Sequence, residues 1–182
     1  MDLGIFDHLD RRDIPAADFY DHRLRLLEKY DAAGFYSYHL AEHHVTPLGL
    51  APMPGIFLAA ATQRTRRIRL GPCVYCLPLY NPLRLIEEVC MLDHLSRGRF
   101  DFGAVPFRFA PDFDEARRRG VAIAGTPAQV RAEFERQVAA SRCTYMTCRL
   151  MFGEMTEAEA AANVDLFVAG VMPHVTALAV PA

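Results

Sequence analysis

Apolar and polar positions along this chain alternate between strand-like and helix-like spacing from the first residues onward. Leu3 to His8 reads as a first strand. Pro15 then suits a helix start, and Tyr20, Leu24, Leu27 and Tyr30 recur on one inward face up to Gly34, a C-cap candidate. Tyr36 to Ala41 is the second strand. The helix after it carries Ile56, Phe57, Leu58 and three alanines, Ala59 to Ala61; apolar nearly all round, it is expected to be deeply buried. Ile68 to Leu77 runs almost continuously apolar, the mark of a parallel strand covered on both faces. Leu83, Ile86, Val89, Cys90 and Leu95 mark a helix ending at Ser96-Arg97-Gly98, and Arg99 to Val105 is the fourth strand.

This βαβαβαβ order with short connections predicts an α/β fold, because right-handed crossovers set such strands side by side in a parallel sheet. Pro106 to Gly120 interrupts the rhythm and reads as an irregular junction with a short polar helix, followed by a short strand at Val121 to Ala124. Thr126-Pro127-Ala128-Gln129 is a capping box with proline at the first helical position, and Val130, Phe134 and Val138 form that helix's buried stripe. Cys143 to Phe152 is a further strand. Thr156 to Glu159 is a second capping box, opening a helix with Val164, Phe167 and Val171 inward and Pro173 as its stop. His174 to Ala182 reads as a loose tail. One domain over residues 1–175 is expected: four β/α units to residue 105, the junction at 106–120, and a helix–strand–helix piece at 121–175, with 176–182 as the tail proper.

Composition changes this picture little. The 182 residues are 52% hydrophobic and 23% charged with a formal charge of −2, which allows one sizeable core and supplies no electrostatic case for nucleic acid or a membrane surface. Arg64, Arg66, Arg67 and Arg69 cluster, but between a helix and a strand, where a solvated turn is the simpler reading. Residues 1–14 carry charges throughout, and no apolar run approaches the roughly 20 residues of a membrane span. Five scattered cysteines argue against a disulfide framework and for a reducing cytoplasm. Cys73 and Cys76 form a CxxC, but inside the strand-like run, on opposite faces rather than at a helix start.

Chemistry gathers at one place. The second strand exits into Glu42, His43 and His44, then into a loop with Pro47, Gly49, Pro52 and Pro54. A carboxylate and two imidazoles at a strand's exit occupy the position where α/β proteins carry catalytic groups. Adjacent histidines point to opposite faces if the strand continues, so at most one of the two meets a given pocket. His39 and His43 have helical ligand spacing, but their flanks read as strand and no second cluster adds ligands, so no metal is expected.

The run EHHVTPLGLAPMPGIFLAAAT, followed by IRLGPCVYCLPLYNPLRLIEEVCMLDHLSRGRFDFG, resembles the bacterial luciferase-like family of flavin-dependent monooxygenases. The resemblance covers Leu3 to Gly103 and resumes from about Val121 to Pro173. It implies an incomplete (β/α) TIM-type barrel: a parallel sheet of about five strands with outer helices, in which Cys143–Phe152 lies beside Leu3–His8. A full barrel of this kind takes about 250 residues, and here its middle is absent. The resemblance further implies that His43 is the catalytic acid or base beside a reduced flavin. Glu42 would be the acidic group next to it, and Cys73-Val74 a non-proline cis peptide under the flavin ring. Plain core strand is the other reading of Cys73 and Val74. The implied cofactor is reduced FMN supplied by a flavin reductase, or a deazaflavin, acting with O2 on a small organic substrate.

The chain departs from the family after FDFG. Ala104, Val105 and Pro106 stand where the family carries a reactive or basic pair that helps hold the flavin phosphate, and Arg108 is out of register. The helix opening at Gly125-Thr126-Pro127 could accept an anion, although an ordinary capped helix is the simpler reading. An open half-barrel is also expected to present an apolar inner face. Leaving roughly 1,000 Å² of it wet would forfeit about 25 kcal/mol. A homodimer, or pairing with a homologous subunit, would cover it. The second functional reading is therefore a non-catalytic flavin-binding or subunit-pairing protein.

Overall fold

A computed structural model describes residues 1–46, 48–102, 123–141, 143–151 and 155–178. Strand β1 spans Asp2–Asp7 and is followed by helix α1, Ala16–Ala33. Strand β2, Ser37–Leu40, leads to helix α2, Pro54–Arg64. Strand β3, Arg69–Pro72, is separated from helix α3, Pro82–Ser96, by a 3-10 turn at Leu77–Leu79. Then come α4 (Pro127–Ser141), β4 (Tyr145–Cys148), α5 (Glu157–Gly170) and a short α6 (Met172–Thr176). The strands form one parallel sheet in the order β3-β2-β1-β4, so the last strand lies beside the first, as the resemblance implies. A parallel bridge from Leu70 to Phe100 marks the start of the expected Arg99–Val105 strand. Gly103 to Val105 of that strand, the 106–120 junction with Arg108, and Val121 and Ala122 lie outside the described residues.

Local signals place the helix ends. Gly34 closes α1 at φ 83, in the left-handed region that glycine enters without a Cβ clash. Thr156 and Glu159 cap α5 reciprocally, and Thr126 with Gln129 does the same for α4. Pro173 does not end the chain's order. It sits in the first turn of α6, where its missing N–H costs nothing, and Val175 is fully buried, so the tail expected from His174 is corrected.

The two faces of the sheet differ. Leu3, Ile5, Tyr38, Leu40 and Leu70 join the hydrophobic core under the helices. Gly4, Ser37, His39, Gly71 and Tyr145 alternate onto the other face. That face is polar and satisfies itself: Tyr145 OH bonds Ser37 Oγ and lies 3.0 Å from His39 Nε2, and Arg69 Nε lies 2.9 Å from both Asp101 oxygens. The expectation of an apolar inner face is therefore corrected, and with it the penalty for leaving it open.

Exposed apolar surface lies on the outside instead. Ile56 on α2 is 70% exposed, and Leu83, Ile86 and Met91 on α3 are 65%, 62% and 64% exposed. A helix apolar all round cannot bury every side in a two-layer fold, so α2 buries Phe57, Leu58 and Ala61 and leaves Ile56 out.

Candidate functional site

All four strands among the described residues are parallel, so their carboxyl ends meet along one edge of the sheet. Four residue groups stand at the strand ends there: Asp7 as the last residue of β1 with His8 after it, Glu42 to His44 after β2, Cys73 and Val74 after β3, and Arg149 after β4.

The first of these is anchored through the core. Asp7 accepts from Leu9 N at 3.0 Å, from Arg23 NH1 at 2.9 and 3.1 Å, and from Tyr38 OH at 2.8 Å. Leu9 has φ 51, unusual for a residue with a Cβ, and the bond from its N–H to Asp7 holds that turn. The turn presents His8, 5% exposed, with its ring edge-on to Phe6 at 4.7 Å and to His43 at 5.2 Å. Burial first, then the Arg149 guanidinium, lowers the His8 pKa to about 4. Partial burial lowers the His43 pKa as well, with the Arg149 guanidinium acting in the same direction. His8 Nδ1 and Arg149 Nε are buried without a hydrogen-bond partner among the described residues, while Arg149 NH2 pairs with Asp10. Gly49 seals this corner, since a Cβ there would lie 2.4 Å from the His8 carbonyl and 3.1 Å from the His43 ring.

Glu42 turns the other way. Its side chain is fully buried and accepts from Cys76 N at 3.0 Å and Tyr80 OH at 2.9 Å, and its Oε1 meets His44 Nε2 at 2.5 Å. The acidic partner expected for His43 thus pairs with His44. Glu42 instead ties the β2 exit to the loop after β3. The third strand stops at Pro72, not at the expected Leu77, and beyond it Cys76 N serves the Glu42 carboxylate rather than a ladder, so Cys73 and Cys76 do not alternate along a strand. The Cys73–Val74 peptide is cis, as the resemblance implies, and Cys73 N donates to Leu40 O beside the β2 exit.

His8 and Arg149 were not singled out from the sequence. The strand-exit rule applied to His43 points to His8, which ends the expected first strand, but not to Arg149, because the expected strand Cys143–Phe152 runs past it and only the structure ends β4 at Cys148. Neither Ala104 to Pro106 nor Arg108 belongs to the described residues. An open groove of about 600 Å³ runs between α2 and α3, past Met53, Ile56, Tyr80 and Met91; it reaches His44 but not His43. No helix among the described residues is long and apolar enough to cross a membrane.

The chain matches the luciferase-like monooxygenase family over residues 1–116. It is 42% identical to limonene 1,2-monooxygenase of Rhodococcus erythropolis over 113 residues, 62% of this chain and 29% of that protein. The chain spans less than a third of the length of the curated relatives it matches first. Its fold is similar to that of monooxygenase RslO1 from Streptomyces bottropensis, with a TM-score of 0.81 at 18% identity, covering 96% of this chain and 99% of that one. It is also similar, with a TM-score of 0.55 at 21% identity over 78% of this chain and 39% of the other, to the oxygenating constituent of 3,6-diketocamphane monooxygenase from Pseudomonas putida, solved in complex with FMN.

Proposed function

Because this chain belongs to the luciferase-like monooxygenase family, we propose that its strand-exit cluster is the ring-binding half of a flavin site for oxygenating a small organic substrate. Reduced FMN, delivered by a separate flavin reductase, is the cofactor this reading takes, with a deazaflavin as the alternative. The bound flavin would supply the electrons and the centre at which O2 is activated.

The observation that carries the reading is the edge-on ring pair His8–His43 at the carboxyl edge of the sheet, with the Arg149 guanidinium lowering the pKa of both. The residues fit such a group. A reduced flavin ring is anionic near neutral pH, and the Arg149 cation, whose Nε has no partner among the described residues, suits an anion. Cys73 and Val74 would lie against the ring. Glu42 would act through the loop it anchors, by holding Cys76 N and hence the β3 exit in place. His43 would take a proton on a ring nitrogen or return it, as an imidazole can near neutral pH. His8 would keep that ring edge-on and exclude water.

The test is anaerobic titration with photoreduced FMN, followed by admission of air. Binding in the micromolar range and re-oxidation slower than that of free flavin are expected, both weakened in His43→Ala. Affinity no tighter than millimolar, with re-oxidation at the free-flavin rate, overturns the reading. Competition with a deazaflavin separates the two cofactors.

The exposed α2–α3 face supports a second element: a homodimer, or pairing with a homologous subunit, through Ile56, Leu83, Ile86 and Met91. This replaces pairing through the sheet's inner face. Native mass should show a dimer that Ile86→Asp converts to monomer. A monomeric wild type with full flavin binding removes the pairing.

A further inference from the structure

Glu42, His44 and Cys76 bring a carboxylate oxygen, an imidazole nitrogen and a thiol sulfur within 4.8 Å of one another. No sequence motif announces this group, because Cys76 lies far along the chain. Pairing of β2 with β3 sets the two exit loops side by side. We propose that Glu42 Oε1, His44 Nε2 and Cys76 Sγ bind one zinc-type divalent cation, with its open position towards the groove between α2 and α3. The proposal does not rest on flavin chemistry.

Three observations carry it. The first is the donor set. Oxygen, nitrogen and sulfur together suit zinc, whereas magnesium and calcium take oxygen ligands alone. The second is spacing. Bonds of about 2.0–2.3 Å in a tetrahedral zinc site put ligand atoms roughly 3.3–3.8 Å apart. Here they need to close by about an ångström between the loops, and the His44–Glu42 contact of 2.5 Å needs to open by a similar amount. His44 is the more exposed member, its side chain 36% exposed and able to turn towards solvent, while the Glu42 side chain is fully buried and held by two hydrogen bonds. The third is the outer support. Cys76 N and Tyr80 OH both hold Glu42 Oε2, which leaves Oε1 turned towards His44 and the incoming ion. Outer partners that orient a ligating carboxylate in this way are a regular part of metal sites.

Binding balances simply. The Cys76 thiol gives its proton to solvent and ligates as thiolate. His44 binds through the Nε2 lone pair, as the tautomer with its proton on Nδ1, and Glu42 binds as carboxylate. The ion then bridges the β2 and β3 exits, and the groove lined by His44 and Tyr80 gives it an entry path.

The experiment is titration of the reduced 182-residue chain with Zn2+ against a chromophoric chelator, and separately with Co2+. One zinc per chain with sub-micromolar affinity is expected, undisturbed by excess Mg2+. Cobalt should show a thiolate-to-metal charge-transfer absorption. Cys76→Ser and His44→Ala should each weaken zinc by more than about a hundredfold, beyond the ten- to hundredfold that Tyr80→Phe should cost as an outer partner. Cys90→Ser, on the exposed side of α3, should change nothing. Zinc no tighter than millimolar overturns the site, as does tight zinc that survives both ligand variants. The cobalt band is read on the unaltered chain, so its absence overturns the thiolate ligand even if a variant fails to fold.

Discussion

Replacing Asp7 by leucine tests the anchor behind the strand-exit cluster. The Asp7 and Arg23 side chains are 5% and 1% exposed, and Arg23 Nε and NH2 have no hydrogen-bond partner among the described residues. The guanidinium therefore depends on this one carboxylate and on the Phe19 ring, 5.1 Å away. Asp7→Leu fills a similar volume but leaves a buried cation without its counter-ion and frees Leu9 N and Tyr38 OH. Breaking a buried pair from one side costs about 3–5 kcal/mol. The contact with the Phe19 ring is kept in the variant and still shelters the cation, so the lower end of that range, about 3 kcal/mol, is expected. That is a large part of a domain's roughly 5–15 kcal/mol. Arg23→Met in the same chain removes the stranded charge, so the double variant should be more stable than Asp7→Leu alone, with a coupling of roughly 2–3 kcal/mol. Urea unfolding followed by circular dichroism, with m unchanged across the four proteins, measures this cycle. A single-variant cost below about 1 kcal/mol, or strict additivity, would refute the reasoning. Because Asp7 also holds the Leu9 turn, Asp7→Leu should loosen His8 against His43 and weaken reduced FMN along with stability.

Three further predictions follow from named contacts. Burial lowers the His8 pKa from its ordinary 6.5 to about 4, so its contribution to stability is complete above pH 6.5 and is lost as pH falls towards 4. His8→Gln should flatten unfolding free energy over that window, and identical slopes in the two proteins would count against the burial argument. A Cβ on Gly71 would lie 2.1 Å from the Asp101 carbonyl, which is backbone and cannot swing away. Gly71→Ala should therefore cost about 1–3 kcal/mol, read as a lowered urea midpoint. Thr156→Ala removes the side-chain half of the α5 capping box, the bond that Glu159 N donates to Thr156 Oγ1, and should cost about 1 kcal/mol, seen as a lower Tm with flavin and zinc binding unchanged.

Much of the fold was legible in the chain itself, because its causes are local. Left-handed Gly34 and the pairs Thr126–Gln129 and Thr156–Glu159 are decided by sterics and hydrogen bonds within a few residues. Period-two alternation and short connections determined a parallel sheet, and a parallel sheet gathers its strand exits on one edge. That was enough to mark His43. What the alternation could not say is which face of the sheet is greasy, since Ser37, His39 and Tyr145 become satisfied only by meeting each other across β1. Nor could it say that Glu42 turns from His43 to His44, Cys76 and Tyr80, or that His8 stacks edge-on against His43. Those partners lie on different strands and loops, and only the packed sheet brings them within hydrogen-bonding range, where burial makes an unmatched polar group costly enough to select one pairing.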